Sequence, residues 1–194
     1  HFWLVDRNGL LVNDMDSLVD FQKPYACQRE EVSTWDVKDP KNITLQEVVD
    51  NAHPTVLIGC STVHGAFNEA VVKSMAAHCE RPIILPLSNP TSLSEADPKD
   101  VIEWTDGKAF IATGSPFDPV IYKGKTHIIG QSNNAFVFPG LGLSVIATKA
   151  KKVSDGMLHA ASECLSDHSP ARKDPNASLL PSIADTWDLS RNIA

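Results

Sequence analysis

Nowhere in this chain do two cysteines stand close enough to share a site. Cys27, Cys60, Cys79 and Cys164 lie far apart with no CxxC pair, which excludes a disulfide framework and a zinc knuckle and points to a reducing compartment, the cytoplasm. The seven histidines show neither HxxxH nor HExxH spacing, so no metal site is visible. No apolar run approaches the length that crosses a bilayer. Basic runs are missing too: 17 Lys and Arg against 24 Asp and Glu leave a formal charge of −7. A nucleic-acid partner needs clustered cations, and Lys149, Lys151 and Lys152 instead close a predicted helix, where cations suit the negative end of its dipole. The opening residues do not show the charged, apolar and then small-residue pattern expected of a signal peptide. His1 runs at once into an apolar stretch, which reads as a piece of a longer polypeptide.

What is present is an alternation of short apolar runs and amphipathic stretches. The 194 residues, 42% hydrophobic and 21% charged, suffice for one domain with a proper core. Phe2 to Asp6 reads as a buried strand ending in an acid, followed by the turn pair Asn8-Gly9. Residues 10 to 43 read as a long surface excursion with one short helical piece. Thr44-Leu45-Gln46-Glu47 is a capping box opening a helix whose apolar face is Leu45, Val48, Val49 and Ala52. Pro54 ends it, and Thr55 to Gly59 is the next strand. A loop, Gly59-Cys60-Ser61-Thr62-Val63-His64-Gly65, leads to a helix bearing Val71, Val72, Met75, Ala76 and Cys79. Its glycines let a ligand approach the backbone, but the loop is not GxGxxG. Cys60 and His64 read as a packed thiol beside a polar loop residue rather than a nucleophile and its base.

Pro82 to Leu87 is a strand of the kind covered on both faces. Asn89-Pro90 stops it, since a residue before proline is pushed out of the helical region. Asp97 then caps a helix that starts at Pro98 and turns Val101, Ile102 and Trp104 inward. Lys108 to Ala112 is a further strand, ending in Thr113-Gly114-Ser115-Pro116-Phe117. Gln131-Ser132-Asn133-Asn134 precedes a Pro-started, Gly-containing helix, either an anion site or a helix packed tightly against a strand through its glycines. Ser154 caps a helix bearing Met157, Leu158, Ala161 and Leu165. After a polar linker at 167 to 177, residues 179 to 194 read as a last helix with Ile183, Trp187 and Ile193 inward. Strands alternating with helices predict a Rossmann-like, doubly wound α/β fold: a mostly parallel sheet with helices on both faces. Such a sheet binds ligands beyond the carboxyl ends of its strands, where Asn89 stands with an amide that both donates and accepts. Shaping the loop by an Asx-turn is the other reading of Asn89. For Asp6 the choice lies between ribose binding and bonding its own turn.

Taken in order, Val5-Asp6-Arg7-Asn8-Gly9-Leu10-Leu11, Leu87-Ser88-Asn89-Pro90-Thr91, Ala112-Thr113-Gly114-Ser115-Pro116-Phe117 and Gln131-Ser132-Asn133-Asn134-Ala135-Phe136-Val137-Phe138-Pro139-Gly140 closely resemble the malic enzymes. The match is nearest to the large-subunit bacterial NAD-dependent type and covers nearly the whole chain. The resemblance implies that residues 1–194 are part of a NAD(P)-binding domain. Its first βα unit and the substrate and metal domain would lie outside the chain. It further implies oxidative decarboxylation of malate to pyruvate and CO₂, with NAD or NADP and Mn²⁺ or Mg²⁺. On that resemblance Asn89 binds the malate carboxylate, and Asn133 and Asn134 lie at substrate and nicotinamide, Asn134 in more direct contact. Asp6 faces the adenosine ribose, and Gly59, Cys60, Ser61, Leu87 and Ser88 border the cofactor together with Asn89 and Asn134. Asp6 favours NAD because an acid repels a 2′-phosphate, while Arg7 could accommodate one.

The family's tyrosine and lysine acid–base pair, its metal-binding carboxylates and its GxGxxG loop belong upstream. No catalytic residue and no metal ligand is therefore expected in this chain, and the 194 residues alone are expected to be inactive. The complete enzyme is expected to be a homo-oligomer, a dimer or tetramer. Two other classes compete: a non-catalytic dinucleotide-sensing module, and another α/β hydroxy-acid dehydrogenase.

Overall fold

The structure, a computed structural model, describes residues 1–194. In chain order its elements are β1 (Val5–Asp6), β2 (Gly9–Leu10), α1 (Arg29–Val32), α2 (Leu45–Ala52), β3 (Val56–Gly59), α3 (Glu69–His78), β4 (Ile83–Pro86), α4 (Pro98–Trp104), β5 (Phe110–Thr113), β6 (Val120–Tyr122), β7 (Lys125–His127), β8 (Gly130–Gln131), α5 (Phe138–Thr148), α6 (Asp155–Asp167) and α7 (Thr186–Ile193). Strands β3, β4, β5 and β8 form one sheet in that order, and every pair in it is parallel. All four carboxyl ends therefore open on one edge, as the doubly wound reading requires.

Local signals set most of the helices. The Thr44 hydroxyl accepts from the Glu47 N–H while the Glu47 carboxylate accepts from the Thr44 N–H, so the predicted box caps α2. Asp97 caps α4 with Pro98 in its first turn, and Ser154 caps α6. Alternation along the strands puts Leu57, Ile84 and Ile111 on one face. They meet Val71, Val72 and Met75 of α3, Val101 and Ile102 of α4, and Val49 of α2 in the main core. Val48, one residue and about 100° away on the same helix, enters a second cluster with Leu10, Val12, Cys27, Val32 and Ile43. Helix α2 thus joins the two cores.

Five expectations change. The opening stretch is not a strand of the parallel sheet: β1 pairs antiparallel with β2 in a hairpin around Arg7-Asn8, and Phe2 is exposed. Gly9 at φ +91° supplies the left-handed residue that closes this turn. Residues 10 to 43, expected to skirt the surface, carry most of the second core, with α1 as their short helical piece. Cover on the sheet is uneven: Ile84 and Pro86 are buried, Ile83 and Leu85 half-buried, and Ile58 of the outer strand β3 is 57% exposed. Residues 120 to 127 form an unanticipated hairpin, β6 and β7, whose turn residues Lys123 and Gly124 both have positive φ, the pairing that suits a two-residue loop. The last helix begins only at Thr186: Ile183 lies in a short turn before it and is exposed, as is Trp187 within it, while Leu189 and Ser190 are buried. Packing against α5 and α6 sets that rotation.

Candidate functional site

Four turns leave the carboxyl ends of the parallel strands and are stitched together by side chains. Gly59-Cys60-Ser61-Thr62 follows β3, and Leu87-Ser88-Asn89 follows β4. Between them lies Glu95, fully buried. Its Oε1 accepts from the Ser61 N–H at 2.7 Å, the Ser61 hydroxyl at 2.9 Å and the Ser88 hydroxyl at 2.6 Å. Its Oε2 accepts from the Ser88 N–H at 3.3 Å. The Ser88 hydroxyl in turn accepts from the Thr62 N–H at 2.9 Å. Burial pushes the Glu95 carboxyl up, but the donors from Ser88 and Ser61 outweigh it and hold the group below its ordinary value. The approach is close enough to require glycine at 59, where a Cβ would stand 2.6 Å from Glu95 Cδ and 2.8 Å from Phe67 Cζ.

The β4 turn is tied to its other neighbour as well. The Ser115 hydroxyl donates to Asn89 Oδ1, and Asn89 Nδ2 donates to the Leu87 carbonyl at 3.3 Å. A Cβ on Gly114 would lie 2.1 Å from the Leu87 oxygen; only glycine lets β5 leave the sheet so close to β4. The Asn89–Pro90 peptide is cis. From β8, the Ser132 N–H donates to the Thr113 carbonyl at 2.8 Å and Gln131 Nε2 to the Gly114 carbonyl at 3.4 Å. Asn133 Oδ1 then accepts from the Ala135 N–H at 2.9 Å, capping the turn into α5. Asn134, the next residue, is exposed, and its side chain makes no hydrogen bond within the chain.

The structure therefore gathers Gly59, Cys60, Ser61, Leu87, Ser88, Asn89, Asn133 and Asn134 along one edge. Asp6 joins none of these bonds: its oxygens accept from the Asn8 N–H at 2.7 Å and from Gln22 Nε2 at 3.1 Å. Cys60 is exposed rather than packed, because its turn projects beyond the sheet. His64 is engaged by the Ser94 carbonyl at 3.1 Å. Gly140 serves packing: a Cβ there would meet Ile193 at 2.7 Å, so the partner is helix α7 and not a strand. Glu95 and Ser115 went unnoticed in the sequence. Ser115 at least stood inside a quoted motif, whereas Glu95 is a lone acid 34 residues from Ser61. No group of three or more His, Cys, Asp or Glu is placed to hold a metal ion, and no helix is long and apolar enough to cross a membrane. At its surface the edge offers neutral amides, hydroxyls, backbone groups and the Cys60 thiol, over the buried Glu95 carboxylate. Such a set can orient a ligand without adding cationic charge.

Comparison with known proteins bears on the family and the fold. Residues 1–194 match the family model described as malic enzyme, NAD binding domain. The chain is 54% identical over 194 residues to NAD-dependent malic enzyme 3 of Bacillus subtilis (strain 168), covering all of this chain and 34% of that protein. It is 54% identical over 192 residues to the NAD-dependent malic enzyme of Acinetobacter baylyi, covering 99% of this chain and 34% of the relative. The chain thus spans about a third of the length of the curated relatives it matches. In three dimensions it resembles the crystal structure of Entamoeba histolytica malic enzyme, with a TM-score of 0.69 at 24% identity. That match covers 99% of this chain and 36% of the other and speaks for the fold alone.

Proposed function

The chain belongs to the malic enzyme NAD-binding domain family, and from there we propose that it is the cofactor-binding part of an enzyme converting malate to pyruvate and CO₂ with reduction of NAD. The observation that carries this reading is the edge itself. Four parallel strands deliver their turns side by side, and the exposed amides of Asn89 and Asn134 stand on that edge. Bound NAD supplies the hydride acceptor for C2 of a 2-hydroxy acid. This chain's residues hold and orient. Asn134 has both halves of its amide free for the substrate carboxylate and the nicotinamide side. Asn133 keeps its NH₂ but shares its oxygen with Ala135. Asn89, fixed by Ser115, presents a set orientation to the malate carboxylate, which is what near-attack geometry needs. The Gly59-Cys60-Ser61 turn and Leu87-Ser88 border the cofactor.

Asp6 is proposed to face the adenosine ribose. Its carboxylate has about four acceptor sites and spends two on Asn8 and Gln22, so ribose hydroxyls remain within its capacity. The GxGxxG loop, the acid–base pair and the ligands of a divalent Mn²⁺ or Mg²⁺ ion are proposed to come from outside this chain. The isolated chain would then be inactive. A cytoplasmic homo-oligomer acting on malate completes the reading.

The test is malate-dependent reduction of NAD by the complete polypeptide in the presence of Mn²⁺, with NADP in parallel. Pyruvate formation with NAD preferred is the expected result. No turnover with either cofactor would overturn the reading, and a preference for NADP would reverse the part assigned to Asp6.

A further inference from the structure

The buried carboxylate beneath the strand-end turns has no place in the roles given so far. Glu95 is fully buried, and its four side-chain hydrogen bonds come from Ser61 and Ser88 alone, all neutral donors. No lysine, arginine or histidine forms an ion pair with it. A buried charge without a counter-ion is costly, and it persists only where hydrogen bonds satisfy it. Here the carboxylate is built in. Gly59 gives up its side-chain space to it, the Phe67 N–H donates to its own carbonyl at 3.0 Å, and both serine hydroxyls turn toward it.

Two consequences follow from where it sits. First, it joins turns that belong to different βα units, so the spacing between the Gly59–Thr62 turn and the Leu87–Asn89 turn is set by one side chain. Second, it places a negative charge without a counter-ion against Ser88, the residue before Asn89; Asn89 is proposed to hold malate, whose C2 must meet the nicotinamide for hydride transfer. The nicotinamide ring is cationic in NAD⁺ and neutral in NADH, so such a charge distinguishes the two forms. We propose that Glu95 is a positioning residue with a second effect: it fixes the two turns that border the cofactor, and its charge favours the oxidised over the reduced cofactor. This rests on reading those turns as the cofactor border.

The test uses the complete polypeptide with Glu95→Gln, Glu95→Asp and Ser61→Ala, titrated separately with NAD⁺ and NADH. It also follows amide hydrogen exchange without cofactor. Glu95→Gln removes the charge and puts a donor where Ser88 already donates. It is expected to weaken NAD⁺ about tenfold and NADH about threefold at most, from a charge acting through a partly screened interior. Glu95→Asp keeps the charge on a shorter stem, and is expected to weaken both forms while leaving their ratio within about twofold. Ser61→Ala, an exposed position that leaves the fold intact, loosens residues 59–62 and shifts both forms equally by about threefold.

Faster exchange at the Ser61, Thr62 and Ser88 amides in Glu95→Gln supports the positioning role. Unchanged exchange, unchanged affinity, or equal loss of NAD⁺ and NADH in Glu95→Gln would overturn the proposal. Should the unsubstituted polypeptide bind neither form, the proposed function fails and with it the effect of the charge. The exchange experiment then still decides whether Glu95 fixes the turns.

Discussion

The turns after β3 and β4 and the turn after β8 stand on the same edge of one sheet, yet they are built in opposite ways. In the first pair the serines are spent inward, Ser61 and Ser88 on Glu95, the Thr62 N–H bonds Ser88, and the exposed Asn89 is held by Ser115 and the Leu87 carbonyl. In the turn after β8, Asn133 spends one oxygen on a cap and Asn134 nothing. The first pair behaves as scaffold, with the internal hydrogen bonds that buried polar groups require. The second keeps most of its side-chain hydrogen-bonding capacity outside the chain's own network. Under the proposed function, the difference would separate residues that shape the crevice from residues that meet its contents.

That contrast can be broken at its hinge. Gly114→Ala drives a Cβ against the Leu87 oxygen at 2.1 Å, a backbone atom that cannot swing away. The expected cost is about 3–5 kcal/mol of stability, read from denaturant midpoints; a cost below about 1 kcal/mol would show that the strand exits are loosely coupled. Ser88→Ala strikes the scaffold itself, taking a donor from Glu95 and an acceptor from Thr62, for about 1–3 kcal/mol.

The same variant sharpens the pH dependence. Glu95 is raised by burial and lowered more by its donors, Ser88 foremost, so its folded value lies below the ordinary 4.5. Its contribution is therefore complete above that ordinary value and is lost as pH falls through the folded one. Removing the Ser88 hydroxyl narrows the gap. Acid unfolding curves of Ser88→Ala and the parent protein should converge as pH drops below 4.5.

On the other side of the comparison the effects on folding shrink. Asn133→Ala removes a cap and should cost about 1 kcal/mol. Asn134→Ala touches no internal bond and should change stability by less than about 0.5 kcal/mol, while raising KM for malate about tenfold or more in the complete polypeptide. If Asn134→Ala destabilised as much as Ser88→Ala, the division into scaffold and contact residues would collapse.

The amino-acid sequence by itself determined the punctuation of the chain: the capping box at Thr44 and Glu47, the Asp97-Pro98 start of α4, the Ser154 cap, and the strand cut short at Asn89-Pro90. These signals act within four residues, through orphan backbone donors and proline sterics, and context does not rewrite them. It also placed Asn89, Asn133 and Asn134 at strand ends, because a parallel α/β alternation brings every carboxyl end to one edge. What only the tertiary structure decided involves partners far apart in the chain. Glu95 acquires its donors across 7 and 34 residues. Gly114 is fixed by a carbonyl from another strand, and the Asp6 stretch closes on Gly9-Leu10 instead of entering the parallel sheet. Trp187 turns outward because packing against α5 and α6, not the hydrophobicity of α7, sets that helix's rotation. A side chain's type says what it can bond; only the fold says which partner arrives.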